Sequence, residues 1–149
     1  MKTKIVIITA AFFFTTAFAS AQILKEKQVP QPVLDYFKKN YPSVDTPNWE
    51  KVQEYYEASY SVEGLHYALL VDSIGTQIAT KVEIPVVEVP QKIIDYLKKE
   101  EAPQKITGTE RITKANETIF FQVETNDFVY VFDFQGKLVT KESDREENE

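Results

Sequence analysis

The sequence predicts an α+β fold of two tandem repeats, each one helix packed on a roughly four-stranded antiparallel sheet. Three observations predict it. The phrase Val29-Pro30-Gln31-Pro32-Val33-Leu34-Asp35-Tyr36-Phe37-Lys38-Lys39 returns as Val89-Pro90-Gln91-Lys92-Ile93-Ile94-Asp95-Tyr96-Leu97-Lys98-Lys99, an offset of 60. Asp72-Ser73-Ile74-Gly75 returns as Asp133-Phe134-Gln135-Gly136, an offset of 61. Between these anchors the apolar spacing changes from helical to alternating in both places. Two anchors in the same order at nearly the same spacing mark one unit used twice, a duplicated domain rather than a solenoid, which needs at least three copies.

Each unit opens with a helix. Pro30 and Pro90 suit a first helical position, where the missing N–H has no intrahelical partner anyway. Val33, Phe37 and Tyr41 recur every four residues, widened by Leu34 and Tyr36; Ile93, Ile94, Tyr96 and Leu97 repeat the stripe. Lys38-Lys39 and Lys98-Lys99 fall in the last turns, where positive charge complements the helix dipole. Pro42 and Pro103 then stop the helices.

Strands follow. A first strand holds Trp49 and Val52, matched by Ile106 and Ile112. Ala58, Tyr60 and Val62 then alternate with Glu57, Ser59, Ser61 and Glu63, the period-two pattern of a half-buried strand. A hairpin turning on Gly64-Leu65 would pair Val62 with Tyr67, Tyr60 with Leu69 and Ala58 with Val71. A matching hairpin at Thr125-Asn126 would pair Val123 with Phe128, Phe121 with Tyr130 and Ile119 with Phe132. Both registers gather the large apolar residues on one face. Asp72 to Gly75 and Asp133 to Gly136 read as type I turns, in which the aspartate accepts from turn N–H groups and glycine takes the left-handed position. The last strand of the first unit alternates Ile78, Thr80, Val82 and Ile84 against Gln77, Ala79, Lys81 and Glu83.

The ends read differently. Lys2 and Lys4 precede an apolar run from Ile5 to Phe18, and Ala19-Ser20-Ala21 supplies a small-x-small cleavage site before Gln22. That is the layout of a secretory signal peptide, and the run is shorter than the roughly 20 residues a spanning helix needs. The expected product is periplasmic or secreted, cleaved after Ala21, and not lipid-modified, since no cysteine occurs. The expected division is a leader at 1–21, a lead-in at 22–28, a first repeat at 29–85, a second at 86–141 and an acidic solvated tail at 142–149. Losing the leader removes Lys2 and Lys4 and moves the net charge from −6 to −8. Such a chain is a poor match for nucleic acid or anionic lipid. Without cysteine there is no disulfide framework, so stability rests on packing, to which 10 Phe, 8 Tyr and 1 Trp contribute.

Constellations for chemistry are missing from the sequence. The single histidine, His66, falls at a hairpin end as a solvated turn residue, no thiol exists, and no Gly-x-Ser-x-Gly elbow occurs. The 4 glycines do not form a phosphate-cradling loop. Asp72 and Asp133 lack neighbouring acids that would complete a calcium shell. The reading is therefore not an enzyme, with no cofactor and no metal.

Binding is what remains. With the helix over the face bearing Tyr60 and Tyr130, the opposite face carries Tyr55, Ser59, Ser61, Leu70, Phe120, Gln122, Val129 and Val131, with Ala68 among them. An apolar centre with polar margins is the composition of an interaction surface. Two readings stand side by side. One is a binding or inhibitor-like module for an unknown protein or peptide of the cell envelope. The other is a structural, self-associating envelope protein, in which Leu70, Val129 and Val131 pack the two copies or two protomers together.

The Val-Pro helix opening, the Phe37…Tyr41-Pro42 exit, Trp49 after it and the aromatic strand running into Asp-x-x-Gly resemble the PepSY-like family of exported bacterial proteins, whose fold is similar to that of the β-lactamase-inhibitor protein. The resemblance spans Val29 to about Lys141. The second copy departs from it, with Glu101-Ala102-Pro103 at the helix exit and no tryptophan following. The resemblance implies tandem helix-plus-sheet units whose two sheets form a joint concave surface, and it implies no catalytic residues.

Overall fold

The computed structural model describes residues 22–100 and 105–143. The expected leader, the Glu101-Ala102-Pro103 segment and residues 144–149 lie outside them. The order along the chain is β1 (Gln22–Leu24), α1 (Gln31–Asn40), β2 (Asn48–Val52), β3 (Tyr55–Val62), β4 (Leu65–Val71), β5 (Gln77–Glu83), α2 (Gln91–Glu100), β6 (Ile106–Lys114), β7 (Ile119–Thr125), β8 (Phe128–Asp133) and β9 (Leu138–Ser143). A short 3-10 turn precedes each helix, at Glu26–Gln28 and Val86–Glu88.

The fold class expected from the sequence is corrected here. The strands do not form two four-stranded sheets; among the described residues they form one nine-stranded antiparallel sheet in the order β1-β2-β3-β4-β5-β6-β7-β8-β9, with two α-helices beside it. The join is β5 against β6, in which Ala79 faces Lys114, Lys81 faces Ile112 and Glu83 faces Glu110. Backbone bonds from Ile84 N to Thr109 O (3.0 Å) and from Ala115 N to Ile78 O (3.0 Å) extend it at both ends. Separate sheets would have left β5 and β6 as edges with unpaired N–H and C=O groups; pairing them satisfies those groups. The phrase read as a domain lead-in contributes β1, which pairs with β2 through Gln22–Lys51 and Leu24–Trp49.

Each helix begins one residue later than its proline suggested. Pro30 is the residue before α1, and its carbonyl accepts from Val33 N (3.0 Å) and Leu34 N (3.2 Å). Pro90 accepts likewise from Ile93 N at 2.9 Å. The α1 stripe buries Val33, Leu34 and Phe37 against Trp49, Ala58, Leu69 and Val71. Phe37 meets Trp49 edge-on at 5.4 Å and Tyr60 at 5.9 Å between centroids. α2 buries Ile93 against Phe121, Val123, Tyr130 and Phe132, and Tyr96 meets Phe132 edge-on at 5.5 Å. Register carries both helices to the same face, because Ala58 pairs with Leu69, Tyr67 with Val82, Val82 with Arg111 and Arg111 with Phe121.

Both hairpins turn one residue from where the sequence placed them, which moves each cross-strand pairing by two residues. Tyr60 pairs with Tyr67 and Ala58 with Leu69, about a turn at Glu63-Gly64 whose φ values of 52° and 83° are those of a primed two-residue turn. Val123 pairs with Tyr130 and Phe121 with Phe132, about Asn126-Asp127. There Thr125 Oγ1 accepts from Phe128 N (3.1 Å) and donates to Phe128 O (3.0 Å). A shift of two residues leaves every side chain on its expected face, whereas a shift of one would have exchanged the faces. The aspartate turns hold as expected. Asp72 Oδ1 accepts from Ile74 N (3.1 Å) and Thr76 N (2.8 Å), and Asp133 Oδ1 from Gln135 N (2.9 Å) and Lys137 N (2.9 Å). Gly75, at φ 87°, also lies against α1: a Cβ there would stand 2.7 Å from the Pro32 carbonyl oxygen.

Candidate functional site

The face opposite the helices is built by alternation. Along β3 it receives Glu57, Ser59 and Ser61; along β4, His66, Ala68 and Leu70; along β5, Ala79, Lys81 and Glu83; along β6, Glu110, Ile112 and Lys114; along β7, Phe120, Gln122 and Glu124; along β8, Val129 and Val131. All eight residues singled out from the sequence belong to β3, β4, β7 or β8, with Tyr55 at the start of β3. They fall into two clusters. Tyr55, Ser59, Ser61 and Leu70 lie on one side, Phe120, Gln122, Val129 and Val131 on the other, and β5 and β6 run between them.

Accessibility divides them again. Leu70 (2% exposed), Gln122 (1%), Val129 (7%) and Val131 (4%) are buried, while Tyr55, Ser59 and Phe120 are half-buried and Ser61 is exposed. A partner laid on this face would therefore meet Tyr55, Ser59, Ser61 and Phe120 first. Ala79 and Ile112 are also buried here, on the two strands that join the halves.

The strip between the clusters is charged, and sequence reasoning overlooked it. Lys81 Nζ donates to Glu57 Oε2 at 3.1 Å, with side chains only 13% and 16% exposed. Glu110 lies directly across from Gln122 on one side and Glu83 on the other. Burial pushes the Glu110 carboxyl above its ordinary range; Lys81 pulls it down, and Glu124, Glu57 and Glu83 push it further up. Gln122 Nε2 donates to Glu124 Oε1 at 2.9 Å, whereas Gln122 Oε1 is buried with no hydrogen-bond partner among the described residues. Lys114 Nζ stands 4.9 Å from the centroid of the Phe120 ring, and burial lowers its ammonium pKa. The alternation in β5 and β6 was the signal available: Lys81, Glu83, Glu110 and Lys114 share one parity with Ala79 and Ile112.

A row of three polar groups also crosses β3, β4 and β5. Ser61 Oγ lies 2.8 Å from His66 Nδ1, and His66 Nε2 lies 3.9 Å from Glu83 Oε2. The order is hydroxyl, imidazole, carboxylate, but 3.9 Å exceeds a hydrogen bond and leaves the ring unoriented by the acid. The His66 side chain is 75% exposed, so water competes for every contact. Ser59, Ser61 and His66 line a cleft of about 380 Å³ together with Ser43, Asp45 and Asn48. Among the described residues no group of three or more His, Cys, Asp or Glu side chains could hold a metal ion. No described helix is long and apolar enough to cross a membrane.

Comparison with known proteins bears on the fold. No protein-family model and no curated protein matches the sequence. Solved structures do match. A Bacteroides eggerthii protein provisionally described as periplasmic aligns at TM-score 0.69 and 14% identity, covering 77% of this chain and 88% of that one. A DUF2874 family protein from Bacteroides uniformis aligns at TM-score 0.66 and 18% identity, covering 76% and 88%. A BLIP-like protein from Bacteroides fragilis aligns at TM-score 0.58 and 19% identity, covering 80% and 91%. At these identities the likeness is one of fold, and the inhibitor-protein-like part of the sequence resemblance agrees with it.

Proposed function

We propose that the protein is an exported, non-enzymatic binding module of the PepSY-like kind, and that it engages a protein of the cell envelope through the sheet face opposite its helices. One observation carries this reading. Neither described helix packs on that face, yet the face spans β3 to β8 with a buried apolar floor of Leu70, Ala79, Ile112 and Val131 and half-buried Phe120 and Tyr55 above it. A floor of that kind on a side that neither described helix covers is the composition of an interface core with its polar rim. Export is supported by the leader-like N-terminal sequence and by the periplasmic description of one structural neighbour. A non-catalytic role is supported by the loose, solvated Ser61–His66–Glu83 row.

The test is site-directed photocrosslinking in cells. A crosslinker in place of Phe120 or Ser59 should trap a partner, and one in place of Lys92 on the helix side should not. Trapping a second copy of the chain would establish the self-associating reading instead. Equal trapping from both sides would remove the open face as the site.

A further inference from the structure

The charged strip names the chemistry of what this face receives. We infer that Glu110, Gln122 and Glu124 form a receiving site for a guanidinium group, an arginine side chain carried by the partner polypeptide. This rests on the reading above in requiring the open face to be reachable by a partner.

Two independent observations converge. The first is charge: the groups acting on Glu110 are Lys81 on β5 and the carboxylates of Glu124 on β7, Glu57 on β3 and Glu83 on β5. Glu110 thus feels three other carboxylates against one ammonium, which is itself in a 3.1 Å pair with Glu57. The second is an unmet acceptor. Gln122 is 1% exposed, its Nε2 is committed to Glu124 Oε1, and its Oε1 receives no hydrogen bond. Buried polar groups in folded proteins are nearly always paired, so an orphaned carbonyl oxygen asks for a donor that the described residues do not supply. Gln122 sits directly across from Glu110 and two residues before Glu124, so the empty acceptor and both acids share one patch of the same face.

The donor must satisfy a neutral carbonyl and neighbouring carboxylates together while bringing positive charge. A guanidinium does this with five N–H groups in a rigid plane; an ammonium has three on a compact, strongly hydrated centre. A divalent cation is disfavoured, because no metal-holding group occurs among the described residues. Phe120 points to an arginine within a polypeptide rather than to a free guanidine. It lies two residues before Gln122 on the same face, is half-buried, and already holds Lys114 Nζ at 4.9 Å from its ring centroid. An arginine stem and its flanking backbone have that ring to cover, whereas a bare guanidinium ion has no stem to lay on it.

The experiment is an NMR titration of the labelled protein with N-acetyl-arginine-N-methylamide, its lysine analogue and its citrulline analogue. The arginine compound should shift the Gln122 side-chain amide and the Glu110 and Glu124 resonances saturably. Lysine should bind several-fold more weakly, and citrulline, which keeps the shape without the charge, should leave them unmoved. Glu110→Gln and Gln122→Met should each weaken the arginine response about tenfold, with Glu88→Gln as a surface control. Equal responses to arginine and lysine, or shifts centred away from Gln122, overturn the inference. Guanidinium chloride at matched concentration tests the source, and a response equal to that of the arginine compound overturns the polypeptide part. If Gln122→Met unfolds, Glu124→Gln takes its place. Failure here is distinct from failure of the proposed function. Crosslinking at Phe120 that survives Glu110→Gln leaves the binding face standing and removes only its arginine site.

Discussion

The two faces of this sheet keep side chains from water by different means. On one, α1 and α2 cover an aromatic core in which Phe37, Tyr130 and Phe132 are almost wholly buried. On the other no described helix packs, yet Leu70, Ile112, Gln122 and Val131 are as buried as residues beneath a helix. The difference is sharpest at the middle of the sheet. Arg111 on β6 faces the helix side and is exposed, while its neighbour Ile112 faces the open side at 3% exposure. At the join the open side thus has a buried floor of its own, Ala79 and Ile112, beside Ile84 and Thr109 buried on the helix side.

Four substitutions test how far the two faces differ. The largest effect belongs to the covered face: Phe121→Ala should cost about 3–5 kcal/mol in chemical denaturation, the loss expected for a buried phenylalanine beneath a helix. Its chain neighbour Phe120, half-buried on the open face, should cost less than about 1 kcal/mol when replaced by alanine, since most of what it loses is solvent-shared contact. Equal losses would mean that the faces do not differ. Second, Leu70→Ala tests whether the open face is a true core. About 2–5 kcal/mol is expected for a buried leucine, and a loss under about 1 kcal/mol would show a floor that is covered without being packed.

The smallest effect concerns charge. Glu110 has its pKa raised in the folded chain, above the unfolded value near 4.5, chiefly by burial. Its neutral form is therefore the better accommodated one. Whatever stability it contributes is complete below pH 4.5 and declines as pH rises through the folded pKa. Glu110→Gln should accordingly gain on the parent protein across that window and lose the advantage below it, as read from denaturation midpoints against pH. A parent protein that is the more stable at neutral pH would mean that attraction from Lys81 outweighs burial.

Much of the fold was legible because its signals are local. The α1 and α2 stripes, the Asp72 and Asp133 turns and the alternation of β3 and β8 each depend on residues within one turn or one strand. The helix-side face was therefore placed correctly even though both hairpins turned elsewhere: Glu63 takes a left-handed φ of 52° that nothing in a glutamate advertises. What was not legible is long-range. No local pattern says that β5 will pair with β6, and hence that one sheet forms instead of two. The site suffered from the same blindness. Tyr55, Ser59, Phe120 and Val131 were assigned to one face from period-two spacing, but their separation by β5 and β6 depends on that pairing. So does the company of Glu57, Glu83, Glu110 and Glu124, which come from four stretches of chain.

The order of the sheet also has a kinetic meaning. Among the described residues every strand is hydrogen-bonded to the strands before and after it in the chain and to no other. Most closures are turns of a few residues, such as Glu63-Gly64, Asn126-Asp127 and the aspartate turns. Two are longer: β1 to β2, which must enclose α1, and β5 to β6, which must enclose α2. Topologies rich in near-neighbour contacts have low contact order and fold quickly for their size, because little loop entropy is lost before contacts form. The hairpins of each half should therefore zip early, and the docking of β6 onto β5 should set the pace for the complete sheet. The same seam that unites the two halves is then the last to close and the first place where a folding chain would offer an unpaired strand to a neighbour.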